Sequence, residues 1–167
     1  FTEFVVRMDI NISSGIIRAS KELMASKIIV GWSGNYSTKE WIFGSILEAV
    51  LRDSRQSVYV VSLKQTLHSI SNIEVIVPPL AEFEPHFSGW LISINNLARQ
   101  TSAKVTFNVL SENSESFSNA LTAHNPKIKQ TIINSSDWYS TFDAISQKPN
   151  DRLVIVISAR KGSISHS

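Results

Sequence analysis

Cysteine is absent from the 167 residues, which excludes disulfides and every cysteine-based metal site. Histidine is sparse. His68, His86, His124 and His166 stand far apart, and no two of them have a metal-ligand spacing. No apolar run approaches the roughly 20 residues that span a bilayer, and no signal peptide is legible. Lysine and arginine form no cluster, and 16 cations against 14 anions leave a net charge of +2. Electrostatics therefore gives no reason to expect a nucleic-acid partner. The first residue is Phe1, inside a strand-like run, so the chain reads as a piece of a longer one.

What is present is an ordinary globular composition, 43% hydrophobic and 18% charged, with room for one domain or parts of two. Phe4-Val5-Val6 reads as a short strand. Ile12, Ile16, Leu23 and Met24 follow with helical spacing after Asn11 or Ser13 as cap. Lys27 to Gly31 is a continuous apolar run ended by glycine, which predicts a strand buried on both faces. A polar loop from Trp32 to Trp41 leads to a helix carrying Ile46, Leu47, Val50 and Leu51. Ser57 to Val61 reads as another buried strand. Residues 63–72 are polar and aperiodic, and read as a linker.

The pattern then restarts. Strands are predicted at 73–77, 104–110, 128–133 and 152–158. The helices between them carry Phe87, Trp90, Leu91, Ile94 and Leu97, then Phe117 and Leu121, then Trp138, Phe142 and Ile145. Alternating strands and helices predict an α/β fold, a doubly wound parallel sheet with helices on both faces. Functional loops then fall at the carboxyl ends of the strands.

One motif has chemical content. Gly31 ends a strand, Gly34 follows after two residues, and Gly44-Ser45 follows after nine more and opens a helix. Glycines let an anion approach the main chain closely, the N–H groups of a helix start and the Ser45 hydroxyl can donate to it, and Lys39 is the loop's cation. The same residues are also ordinary turn and cap residues. The dinucleotide pattern G-x-G-x-x-G and the P-loop pattern are both absent.

Gly31-x2-Gly34-x9-Gly44-Ser45, between an apolar strand and an amphipathic helix, resembles the nucleotide loop of universal stress proteins. That resemblance implies a Rossmann-like fold and a loop that holds the ribose and phosphates of ATP or another adenine nucleotide. Residues 1–62 resemble the second half of one such unit, and 73–167 the first part of a second. The segments DINISSGIIRASKEL, FGSILEAVL, VIVPPLAEFEP and VISARKGSIS resemble the cytosolic tails of bacterial cation:proton antiporters. This closer resemblance implies a regulatory domain on the cytoplasmic side of the inner membrane, with the transmembrane antiporter module as its partner. The second unit departs from the family: Leu80 stands where an aspartate meets the adenine end, and Arg160-Lys161-Gly162-Ser163 lacks the long two-glycine spacing.

Other candidates read as structural. Glu82, Glu84 and His86 flank Pro85 at a helix start, where acids favour the macrodipole. Trp32, Tyr36 and Trp41 read as packing residues. No set of carboxylate, arginine and metal ligand converges on the glycine loop, so binding is expected rather than catalysis. The alternative is a structural module without a small-molecule ligand, a homodimer paired through the Ser57–Ser62 edge.

Overall fold

The computed structural model describes residues 4–32, 38–124 and 129–166, with 38–43 and 111 described by their backbone alone. The chain forms two compact units, Phe1–Lys64 and Gln65–Ser167.

The first unit contains α1 (Ile12–Glu22), β1 (Lys27–Gly31), α2 (Thr38–Asp53) and β2 (Ser57–Val61). Asn11 starts α1 by accepting a hydrogen bond from the Ser14 amide at 2.9 Å. β1 and β2 pair in parallel from Lys27 opposite Ser57 to Gly31 opposite Val61, and the Trp32 amide extends the ladder by donating to the Val61 carbonyl at 2.8 Å. Ile28 and Val50 are buried.

Two expectations are corrected here. The strands are not buried on both faces: Ile29, one residue beyond Ile28 and so on the opposite side of the sheet, is 72% exposed. No helix of this unit covers that side among the described residues. Phe4-Val5-Val6 does not form a strand either, because a strand needs a partner backbone and the ladder of this unit holds only β1 and β2.

The second unit contains β3 (Asn72–Val77), α3 (Phe87–Thr101), β4 (Lys104–Leu110), α4 (Ser114–Ala123), β5 (Gln130–Ser135), α5 (Trp138–Ser146) and β6 (Arg152–Val156). All strands are parallel, in the order β5-β4-β3-β6. Right-handed crossovers that run from β3 to β5 and then reverse to β6 put α3 and α4 on one face and α5 on the other. The core lies on the first face. There Val75, Val77, Phe107 and Val109 meet Leu91 and Ile94 of α3 and Phe117 and Leu121 of α4. The rings of Phe107 and Phe117 lie 5.4 Å apart. The predicted doubly wound sheet is the fold of this unit.

Residues 65–72, read from sequence as part of a linker, are built into the second unit. Leu67–Ser69 form a 3-10 turn, Ile70 is buried in the core, and β3 begins at Asn72. The α5 face carries the one charged residue buried in this sheet among the described residues. Glu74 accepts from Lys148 Nζ and Arg152 Nη1, each at 2.8 Å, and from Asn108 Nδ2 at 3.1 Å. A carboxylate enclosed between two strands is tolerated only with such partners.

Candidate functional site

The anion-binding potential of the first unit is set by chain direction. α1 and α2 both run against the parallel strands, so both helix N-termini lie at the carboxyl end of β1, where Gly31 ends the strand. Helix starts carry amide donors and the positive end of the macrodipole.

The residues singled out in the sequence are distributed as follows. Gly31 is the last residue of β1 and is exposed; a Cβ built on it meets nothing within 4 Å. Gly34 lies outside the described residues, as does Tyr36. Lys39 is in the first turn of α2, with its side chain outside the described residues, as is that of Trp41. Gly44 and Ser45 lie within α2 and do not open it. The helix begins six residues earlier, at Thr38, so its first-turn amides belong to Thr38–Trp41. Gly44, like Gly31, borders open space. Ser45 is exposed and lines a depression of about 390 Å³ together with Ile46 of α2 and Asn11, Ile12 and Ser13 at the start of α1. The structure therefore brings Ser45 beside the first turn of α1, a neighbour the motif did not indicate. The Asn11 side-chain Oδ1 there accepts from the Ser13 hydroxyl and the Ser14 amide.

The sequence reading also placed the glycine loop near a topological switch. Among the described residues the switch lies elsewhere: the connections reverse between β3 and β6 of the second unit. A two-stranded sheet joined by one crossover has no such reversal. Open parallel sheets bind ligands at the carboxyl side of a switch. Here that place is a cavity of about 220 Å³ lined by Pro78, Trp138, Phe142, Ser158, Ser165 and His166, among others.

The rim of this cavity is tied down by a contact that the sequence did not disclose. Glu84 Oε1 accepts from the Ser165 hydroxyl at 2.7 Å and from the Ser165 amide at 2.9 Å. These bonds, the hydroxyl first and the amide second, hold the Glu84 carboxyl below the usual carboxylate range. The chain between β6 and Ser165 turns through Gly162 at φ 89°, a conformation suited to glycine. Leu80 adopts the left-handed conformation, φ 60° and ψ 17°, directly after Pro78-Pro79. Among the described residues no three histidine, aspartate or glutamate side chains form a metal-binding group, and no helix is long and apolar enough to cross a membrane.

Residues 2–62 match the model of the universal stress protein family. The matched segment covers α1, β1, α2 and β2 and stops before the second unit begins. No curated protein and no solved structure matches the chain.

Proposed function

We propose that the first unit binds the phosphates of ATP or another adenine nucleotide on the Gly31–Ser45 loop, and that the chain is a regulatory domain. The observation that carries this reading is the spacing Gly31-x2-Gly34-x9-Gly44-Ser45 between β1 and the body of α2, inside the segment that matches the stress-protein family. The open space beside Gly31 and Gly44 supports it, because a phosphate would approach the main chain there without displacing a side chain. In this reading the α2 first-turn amides and the Ser45 hydroxyl hold the phosphates, and Lys39 adds a cation. The resemblance of four segments to antiporter tails supports the setting: a cytosolic tail on a bacterial cation:proton antiporter, working with that transporter's membrane module. The nucleotide would bias transport by binding one conformational state more tightly than another, and no hydrolysis is required.

Calorimetric titration of the chain with ATP, with and without magnesium, tests the binding. A Gly44→Asp variant serves as comparison. The new side chain projects into open space, so the fold survives, but its charge opposes a phosphate. Saturable heat in the parent and none in the variant supports the reading; no heat in a folded parent refutes it.

One observation favours the alternative, a structural module with no small-molecule ligand. β2 pairs only with β1 among the described residues, and an unpaired edge is a template for association through Ser57–Ser62. A chain that associates while ignoring ATP would match it.

A further inference from the structure

In the second unit the start of α3 and the end of α4 bring a serine and a histidine together. The Ser88 hydroxyl lies 2.8 Å from His124 Nε2, and His124 Nδ1 lies 2.9 Å from the Ala120 carbonyl oxygen. A carbonyl only accepts, so in the neutral ring Nδ1 carries the proton. Nε2 is then the unprotonated nitrogen, and the Ser88 hydroxyl donates to it. The imidazole also stands at 84° to the Phe87 ring, with centroids 5.2 Å apart, and Phe87 is anchored in the core. The Ala120 carbonyl and the Phe87 ring thus fix one tautomer and one orientation. Helix capping accounts for the bond to Ala120, since a histidine near a helix end can donate to a terminal carbonyl. Capping leaves Nε2 unused, and it is Nε2 that faces the serine.

We propose that Ser88 is a nucleophile with His124 as its general base, and that the pair takes acyl groups from small activated esters. Such chemistry needs a hydroxyl, a base within hydrogen-bond reach and a group that orients the base. Here a backbone carbonyl fills the orienting place that a carboxylate holds in a serine–histidine–aspartate triad. Ser88 is the second residue of α3, so its own amide and that of Gly89 belong to the first turn, where helix donors have no helical carbonyl to meet. An oxyanion forming beside Ser88 would meet those donors. Gly89 also leaves room, since a Cβ built on it meets nothing within 4 Å. Both side chains are exposed, which suits a small acyl group delivered from solvent. In the first step the Ser88 oxygen bonds to the ester carbonyl carbon and its proton passes to Nε2. The bond from that carbon to the alcohol oxygen breaks, and the alcohol leaves with the proton. Water then attacks the acyl carbon and gives a proton to Nε2. The carboxylic acid departs as Ser88 regains its proton from Nε2. Only ester and water are consumed. The proposal is independent of the nucleotide reading, which concerns the first unit.

Incubation of the whole chain with p-nitrophenyl acetate tests it, with nitrophenolate release followed in solution and the acetylated residue located by peptide mass spectrometry. Ser88→Ala and His124→Asn serve as variants. Both positions are exposed, and melting curves report whether each variant keeps the fold. The expected result is an acetyl group on Ser88 of the parent, no turnover above background in Ser88→Ala, and acetylation of Ser88 about a hundredfold slower in His124→Asn. A merely structural tether between α3 and α4 would change melting and leave ester cleavage at background throughout. A parent that is never acetylated at Ser88 overturns the proposal. So does acetylation of Ser88 at an unchanged rate in a folded His124→Asn variant, which would remove the base from the account.

Discussion

At the scale of single residues, Glu74 offers the clearest energetic test. It is 1% exposed and supports three donors. Glu74→Ala would leave Lys148 and Arg152 facing each other without their counter-ion. Both reach water in part, which softens the penalty relative to a fully enclosed pair. The expected loss is about 2–4 kcal/mol, read from urea unfolding of the second unit. A loss below about 1 kcal/mol would mean that water replaces the carboxylate readily.

Glu84 gives a pH prediction. Its folded carboxyl lies below its ordinary range because Ser165 donates to the charged form. A depressed folded value contributes stability that is fully present above the unfolded value and is lost as pH falls through the folded one. The tie to Ser165 should therefore persist through the normal carboxylate range and release only in more acidic solution. Carboxyl chemical shifts of Glu84 followed against pH check this. Ser165→Ala removes the hydroxyl and keeps the amide, so it should move the titration part of the way up toward the ordinary glutamate range; an unmoved midpoint would show that the hydroxyl is not the cause.

Neither role was legible in the sequence, for one reason. The charged partners of Glu74 lie 74 and 78 positions away, and Ser165 lies 81 positions from Glu84. Local pattern places Glu84 near a helix start and says nothing of a loop that arrives after three further strands. The glycines were legible because their spacing is local.

At the scale of elements, helix capping and core packing carry the predictions. Asn11 is the side-chain cap of α1, and Asn11→Ala should destabilise the helix by about 1 kcal/mol, measured by amide exchange in residues 12–22. An unchanged exchange rate would mean that packing on α2 alone holds the helix start. Phe107 is fully buried in the main core, against Phe117. Phe107→Ala should cost about 3–5 kcal/mol, and a cost near zero would indicate a core that collapses around the gap.

The strands at 27–31, 57–61 and 104–110 appear where the sequence pattern placed them. The start of α2 does not. Thr38, Lys39 and Glu40 have no apolar period to reveal the helix, and Gly44-Ser45 looks like a boundary although the helix passes through it. Burial was overestimated for β1 and β2, because an apolar strand reports what it is able to bury, and covering its second face depends on neighbours the sequence pattern does not specify.

At the scale of the whole molecule, the two units differ in what they offer a ligand. The first has two helix N-termini and the open Gly31 at the carboxyl end of its sheet, with the open Gly44 farther along α2. The second has the topological switch, but its rim is tied by Glu84 to Ser165 and Leu80 follows its first strand. The central claim is that nucleotide binds the first unit through main-chain amides. Amide chemical-shift mapping of the isotopically labelled chain during titration with ATP tests it most directly. The account predicts saturable shifts concentrated in residues 31–46, with neighbouring shifts at Asn11–Ser14 and none at residues 158–166. Shifts confined to residues 78–84 and 158–166, or no shifts at millimolar ATP, would contradict it.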